Sequence, residues 1–404
     1  MKWFILLCIG LFEAAAYSRY NYGSKTYYAQ KREERNYNRW IWGSTENPDA
    51  EWINDEAKRV PQIRSRFPIV TAEPDPCDPV EPPPVPDFTA PNRRISQVKC
   101  YEYIYGAKIR EDAEKKKRAC AESKTSPNAA LGGRDALPGE FPHMGALGWK
   151  SATGTWIFKC GGTLISERFV LTAAHCGKAS ARDTSVADVE PKIVRLGDSN
   201  IIDIYDFQTR QFPVDGNISR IIVHPKYKAP MKYFDIALIE LENEVTFTRD
   251  IQPACLYSGP QYEINGKKAT VTGWGLVETV GLVTSPVLQA AEVDVVDLQK
   301  CDIFLRPSCN RLWCGMQQHQ LCAGKLEGGV DACQGDSGGP LQVKINLPNN
   351  TDAVMYHVIG VTSFGIGCGR KNLPGVYTRV SSFLNWIERI VWDDYYESSY
   401  YSYY

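Results

Sequence analysis

Thr172-Ala173-Ala174-His175-Cys176, Asp235-Ile236-Ala237-Leu238 and Gly335-Asp336-Ser337-Gly338-Gly339-Pro340 decide how this chain is read. They supply an imidazole, a carboxylate and a hydroxyl, in that order. A serine hydroxyl is a weak nucleophile at neutral pH and needs an adjacent base to take its proton. The base needs a buried carboxylate that holds its tautomer and stabilises the imidazolium. Any one stretch arises by chance; all three in order, with matching flanks, very rarely do. His175, Asp235 and Ser337 are the candidate catalytic residues.

The sequence around them has one texture. From about residue 130, short apolar runs at 161–166, 169–174 and 269–274 alternate with Gly, Pro, Asn and Asp turns. That spacing predicts an all-β domain, sandwich or barrel. Over 382–392 the apolar residues recur at three- and four-residue intervals, which predicts a closing amphipathic helix. The tail, 393–404, is Tyr-rich, of low complexity, and expected to be mobile.

Toward the N-terminus, Lys2 precedes an apolar run at 3–12, and Ala14-Ala15-Ala16 offers a small-residue cleavage site. Residues 1–16 therefore read as an export signal. Neither that run nor any later one reaches the roughly 18 apolar residues of a membrane span. Residues 17–94 read as a largely irregular pro-region, first rich in Tyr and Asn, then a Pro-rich extended spacer at 73–94. Residues 95–129 form a Cys-containing linker and activation segment, helical from Cys100 to about Cys120, with its charge run on a solvated face.

Export gives the cysteines a meaning. Of the 13, Cys8 leaves with the signal and an even number remains, which in an oxidising compartment implies bridges. No paired Cys-x-x-Cys or His partner accompanies them, so they do not read as a zinc site. Asn217-Ile218-Ser219 and Asn349-Asn350-Thr351 are glycosylation sequons. A net charge of −1 with 23% charged residues argues against a nucleic-acid surface and a polybasic membrane patch. The 404 residues hold one large core and an accessory region.

From about 130 to 392 the chain resembles the trypsin/chymotrypsin family along essentially its whole catalytic domain. The likeness extends to 138–144 (Pro-Gly-Glu-Phe-Pro-His-Met), 160–165 (Cys-Gly-Gly-Thr-Leu-Ile), 271–275 (Val-Thr-Gly-Trp-Gly), 321–324 (Leu-Cys-Ala-Gly) and 374–378 (Pro-Gly-Val-Tyr-Thr). The resemblance implies two six-stranded antiparallel β-barrels with a C-terminal helix, and a secreted, extracellular endopeptidase made as a zymogen. It is strongest to arthropod haemolymph cascade proteases of the snake-like branch, which carry a clip domain knotted by six cysteines. With only Cys77, Cys100 and Cys120 in the pro-region, a complete clip is absent.

The roles follow from the resemblance. Ser337 attacks, His175 is base and then acid, Asp235 orients His175, and the amides of Gly335 and Ser337 form the oxyanion hole, each such donor being worth about 3 kcal/mol. Asp331 stands at the pocket floor that prefers Arg and Lys, with Gly365 and Gly375 as its small walls. A carboxylate at the base of a closed slot favours a cationic side chain over an apolar one. Ser363-Phe364-Gly365 is the strand that pairs with the substrate backbone, with Phe364 where the family usually has Trp. The implied bridges are Cys160–Cys176, Cys301–Cys322 and Cys333–Cys368, with Cys309 and Cys314 pairing in an inserted loop. Cys255 ties the domain to its pro-segment through Cys77, Cys100 or Cys120. Ala269 and Val343 replace the optional bridge behind the nucleophile.

The activation segment departs from the pattern. A freed amine, usually on Ile, pairs with the carboxylate before the nucleophile, here Asp336. The matching bond is Ala129–Ala130, with no basic residue before it. Activation then needs an enzyme that prefers small residues. Ala also buries less than Ile, whose full burial is worth about 1.5–3 kcal/mol, so the pocket orders roughly tenfold to a hundredfold more weakly.

The implied partners are zymogens or cytokine precursors as protein substrates, an upstream activating protease and a serpin-type inhibitor. The alternative is a silent homologue that binds without cutting; a third reading, from the flanks alone, is a Tyr-rich cross-linking protein. No cofactor or metal is expected, although 198–203 (Asp-Ser-Asn-Ile-Ile-Asp) holds oxygen donors near where some relatives bind calcium.

Overall fold

Short strands of almost continuous apolar sequence dominate the computed structural model, which describes residues 84–121, 134–137, 139–202, 213–278, 283–328, 336–347, 353–367 and 370–393. All of these lie within one unit, Phe67–Tyr404. The expected signal at 1–16, Cys77, most of the expected pro-region, Ala129, Ala130, Asp203, Asp331, Cys333, Gly335, Asn349, Cys368 and residues 394–404 of the Tyr-rich tail fall outside the described residues.

The first helix, α1 (Ile95–Ala121), precedes a two-residue strand β1 (Arg134–Asp135). Six strands then close a barrel: β2 (Met144–Lys150), β3 (Trp156–Leu164), β4 (Phe169–Thr172), β5 (Ile193–Leu196), β6 (Val214–Val223) and β7 (Ala237–Leu241), in the order β2-β3-β4-β7-β6-β5. Leu147, Val170, Leu171, Val194, Leu238 and Ile239 of these strands are fully buried in one apolar cluster. Strands buried on one side by the barrel core and on the other by neighbouring elements read as unbroken apolar runs rather than alternations.

The second half begins with β8 (Cys255–Leu256), β9 (Lys268–Gly273) and a small ribbon, β10 (Leu276–Glu278) with β11 (Val283–Thr284). It continues through β12 (Gln289–Val296), helix α2 (Leu298–Leu305), β13 (Gln320–Gly324), β14 (Pro340–Lys344), β15 (Tyr356–Phe364) and β16 (Gly375–Arg379), and ends in α3 (Leu384–Val391). The antiparallel order β9-β12-β13-β16-β15-β14 returns to β9, so a second six-stranded barrel closes. Its core is Val271, Val293, Val295, Leu321, Leu341, Ile359 and Tyr377. The first core runs on without a break through Val358, Val361, Phe383 and Ile387, so α3 and one side of β15 belong to both halves.

Helix α1 starts before Cys100, because Ile95 and Val98 are already buried. Cys100 is bridged to Cys255 on β8, which resolves the choice among the three pro-region cysteines. Tyr103 meets Phe247 edge to face at 5.8 Å, and Ile104 and Ala107 join Ile345 and Met355 in a separate cluster. Just ahead of the helix, Arg94 grips Glu388 of α3 with two nitrogens, at 3.0 and 2.7 Å, and the Ser96 hydroxyl donates to the same carboxylate at 2.6 Å. Beyond Ala107 the helix is mostly charged, half-buried over 108–111 and largely exposed over 112–118. Among the described residues no helix is long and apolar enough to cross a membrane.

Candidate active site

Asp235 lies two residues before the start of β7 and is 1% exposed. One carboxylate oxygen accepts from the backbone N–H of His175 at 2.9 Å. The other lies 2.8 Å from His175 Nδ1 and accepts from the Ser363 hydroxyl at 2.5 Å. The Thr378 hydroxyl donates to the backbone carbonyl of Asp235 at 2.7 Å. Burial alone would raise this carboxyl; the His175 charge, the hydrogen bonds from the His175 ring and the Ser363 hydroxyl, and the His175 amide outweigh it and hold the group below the usual carboxylate range. An anion so fixed dictates that Nδ1 carries the proton and leaves Nε2 with its lone pair free to act as a base.

His175 rides on a one-turn 3-10 helix (Ala174–Gly177) that follows β4, and the Cys160–Cys176 bridge fastens that turn to β3. The Ser337 turn is fastened to both barrels. Its carbonyl accepts from Gly161 N–H of β3 at 2.8 Å, and the next amide, Gly338, donates to Thr362 of β15 at 2.8 Å. Gly338 has φ +78°, and a Cβ there would stand 2.2 Å from Thr172 Oγ1, 2.5 Å from the Gly161 carbonyl and 3.1 Å from Cys176 Sγ. Only glycine permits that approach. Thr172 and Cys176 flank His175, so the serine turn is pressed against the segment that carries the imidazole. The Ser337 turn and the His175–Asp235 pair thus lie on adjoining segments where the barrels abut.

The Asp336 carboxylate accepts from Gly275 N–H at 3.0 Å. A Cβ on Gly273 or Gly275 would fall 2.1 or 2.5 Å from its oxygens, so the Gly-Trp-Gly turn at 273–275 is shaped around this carboxylate. Ser363 is buried and Phe364 half-buried at the end of β15; Gly365 beyond it is exposed, and Gly375 is buried at the start of β16. Asn217 lies exposed on β6. Cys301–Cys322 joins α2 to β13, and Cys309–Cys314 closes a small loop after α2.

Of the oxygen-rich loop at 198–203, residues 198–202 are described and Asp203 is not. Arg195 Nη1 lies 3.7 Å from Asp198 Oδ2, so a guanidinium already faces that carboxylate, and Asn200 N–H donates to Asp198 Oδ1 at 2.9 Å.

Two residues near the site had no role in the sequence reading. Thr378 sits in the quoted 374–378 motif, yet its bond to the Asp235 carbonyl needs the pairing of β16 with β13 and β15 before it is visible. Trp313 is 2% exposed and meets Phe364 edge to face at 5.7 Å; no pattern in its loop marks it as core.

The family model described as Trypsin matches residues 130–387. The chain is 38% identical to Serine protease snk of Drosophila melanogaster over 76% of its own length and 67% of that relative. It is 40% identical to Serine protease Hayan of Drosophila melanogaster over 65% of its own length and 39% of that relative. It is 35% identical to the Proclotting enzyme of Tachypleus tridentatus over 66% of its own length and 68% of that relative. A serine turn fastened to two closed barrels, and an imidazole seated on a buried carboxylate, agree with those likenesses, and the chain belongs to the trypsin family of serine proteases.

Proposed function

We propose that this chain is a secreted trypsin-like serine endopeptidase, made as a zymogen, that cuts protein substrates after Arg or Lys in an extracellular cascade. The observation that carries the reading is the fixation of Asp235. A buried carboxylate bonded to the His175 ring nitrogen and the Ser363 hydroxyl is placed to stabilise an imidazolium that forms when a serine hydroxyl attacks.

In this reading His175 Nε2 takes the Ser337 proton as Oγ bonds to the substrate carbonyl carbon, and the carbonyl electrons move onto its oxygen. The amides of Gly335 and Ser337 receive that oxyanion. His175 then returns the proton to the leaving amine, and water repeats the sequence on the acyl-enzyme. Asp331 pairs with the Arg or Lys before the cleaved bond, between Gly365 and Gly375, and the Ser363–Gly365 strand aligns the substrate backbone. Cleavage at Ala129–Ala130 frees the amine that pairs with Asp336, and the Gly273–Gly275 turn already cradles that carboxylate.

Residues 1–16 direct export, in keeping with the disulfides, and Asn217 and Asn349 carry glycans. The likeness to relatives named as serine proteases and as a proclotting enzyme supports protein substrates and an upstream activator. A serpin-type inhibitor suits the same cleft. The Cys100–Cys255 bridge keeps the pro-segment attached after the Ala129–Ala130 bond opens.

The test is hydrolysis of a small Arg amide by the secreted protein, before and after limited elastase treatment. Turnover that appears only after treatment, and not with the corresponding Glu amide, supports the reading. No turnover in either state supports a silent, partner-binding homologue instead.

A further inference from the structure

Phe234, the residue before Asp235, has φ +56°. Among the described residues only two others outside glycine have a positive φ, Asn92 and Asn372. Asparagine visits that region through local hydrogen bonds, whereas a phenylalanine there needs its surroundings to hold it. Both backbone polar groups of Phe234 are tied. Its carbonyl accepts from Ile236 N–H at 2.9 Å, which closes a tight turn around Asp235. Its N–H donates to His319 Nε2 at 3.2 Å, and the His319 ring stacks on the Phe234 ring at 4.1 Å and 13°. A backbone N–H donates only to a bare ring nitrogen, so His319 is neutral and carries its proton on Nδ1.

His319 is itself anchored. It directly precedes β13, and its carbonyl accepts from the N–H of Arg379, the last residue of β16, at 2.9 Å. His224 also lies nearly parallel to Phe234, 5.7 Å away, and its Nδ1 accepts from Lys226 N–H at 3.3 Å. Phe383 meets His224, Phe234 and His319 at close to right angles, and Tyr233 lies edge-on to His319 at 6.1 Å. Burial, and then the charges of Arg379, His224 and Lys226, bring the His319 ring down to about 4, so it stays an acceptor at neutral pH. Ser363 and the His175 amide act on the Asp235 carboxylate directly. His319 acts one residue upstream, on the backbone that aims it.

We propose that His319 is a positioning residue for the triad: its neutral ring, by accepting from the Phe234 N–H, holds the left-handed turn that points the Asp235 carboxylate at His175. The inference rests on the proposed hydrolytic function and adds to it a residue that touches neither substrate nor the reacting atoms. Without the acceptor, Phe234 relaxes toward an ordinary φ and the Asp235 carboxylate draws away from His175. The imidazolium then loses part of its partner, and the attack slows while substrate binding is untouched.

The test pairs His319→Leu, which keeps bulk against Phe234 but has no acceptor, with His319→Gln, whose amide oxygen can accept near the place of Nε2. Both are assayed on an Arg amide after elastase treatment, with kcat normalised to the folded fraction. We expect His319→Leu to lower kcat by roughly tenfold to a hundredfold, with KM within about twofold of the parent. The acid limb of its pH–kcat/KM profile moves to lower pH, and His319→Gln recovers most of both changes. A ring that only fills space gives the opposite order, with the apolar variant active and the polar one impaired. A kcat in His319→Leu equal to that of the parent, or a loss that His319→Gln does not recover, overturns the proposal while leaving Arg cleavage intact. Should His319→Leu fail to fold, the ring 15N shifts of His319 in the unaltered protein decide. A bare Nε2 at neutral pH supports the proposal and a protonated one refutes it. If the parent never cuts the Arg amide, the hydrolytic reading fails by itself. The positioning of Asp235 is then read from the His175 Nδ1 proton resonance: displaced in His319→Leu and restored in His319→Gln supports it, unmoved in His319→Leu refutes it.

Discussion

Replacing Asp235 with Asn removes one charge and almost nothing else. The amide oxygen can still accept from the His175 N–H, and the side chain keeps its volume in a site that is 1% exposed. What is lost is the attraction between an anion and the imidazolium that forms during attack. At the observed separation of 2.8 Å, and with an effective dielectric of ~20, that attraction is about 6 kcal/mol. Converted at 1.36 kcal/mol per factor of ten, this is roughly a 10⁴-fold loss in kcat/KM. The Asn amide can also present its NH2 to Nδ1, which would force the proton onto Nε2 and disable the base. The assay is initial-rate hydrolysis of an Arg amide by the elastase-treated variant, with thermal unfolding followed in parallel. We expect the activity to collapse while Tm moves by only a few degrees. A loss smaller than tenfold in a folded variant would refute the assignment of Asp235 as the partner of a charged His175.

Arg94→Ala removes the guanidinium from the Glu388 carboxylate, which is 1% exposed and keeps the Ser96 hydroxyl, and should destabilise the protein by about 3 kcal/mol in a denaturant titration; Glu388→Gln in the same background should recover part of that. A variant as stable as the parent would show that the clamp between the pro-segment and α3 contributes nothing. Burial lowers His143, whose ring is opposed only by its Gln342 hydrogen bond, and His357 to about 4 in the folded protein. The unfolded chain, with histidines near 6.5, binds more protons between those values, so stability should rise with pH from about 4 to 6.5. The contribution of each ring is on the order of 3 kcal/mol. Calorimetric Tm values that stay flat across that window would contradict the burial of these rings.

The parts of the fold that were legible in the sequence are those whose chemistry is local. The strings around His175, Asp235 and Ser337 could be read because a tight turn, its disulfide and its reactive side chain must be neighbours in the chain. Strand β4 was legible for a related reason, since a strand buried on both sides shows an unbroken apolar run. Features that depend on distant pairing were not. Cys255 had three possible partners, and only the seating of α1 against β8 selects Cys100, 155 residues away. The Arg94–Glu388 clamp spans 294 residues and leaves no periodic trace in either segment. Helix α1 was expected from Cys100 to about Cys120, yet it begins at Ile95, because tertiary burial of Ile95 and Val98 draws the preceding turn into the helix. At the C-terminus, α3 covers Leu384–Val391 rather than the whole 382–392 span, since 380–382 take a 3-10 turn that swings the chain off β16. Phe364 was noted as a departure from tryptophan, but Trp313 and Lys232, which surround it, lie on segments that only the fold brings together.

The most direct test of the central claim is the site at which a serine-directed Arg phosphonate attaches to the elastase-treated protein, mapped by peptide mass spectrometry. The account predicts a single adduct on Ser337, absent when His175 is replaced by Ala. An intact, folded protein that takes up no label at Ser337, or takes it up equally without His175, would contradict it.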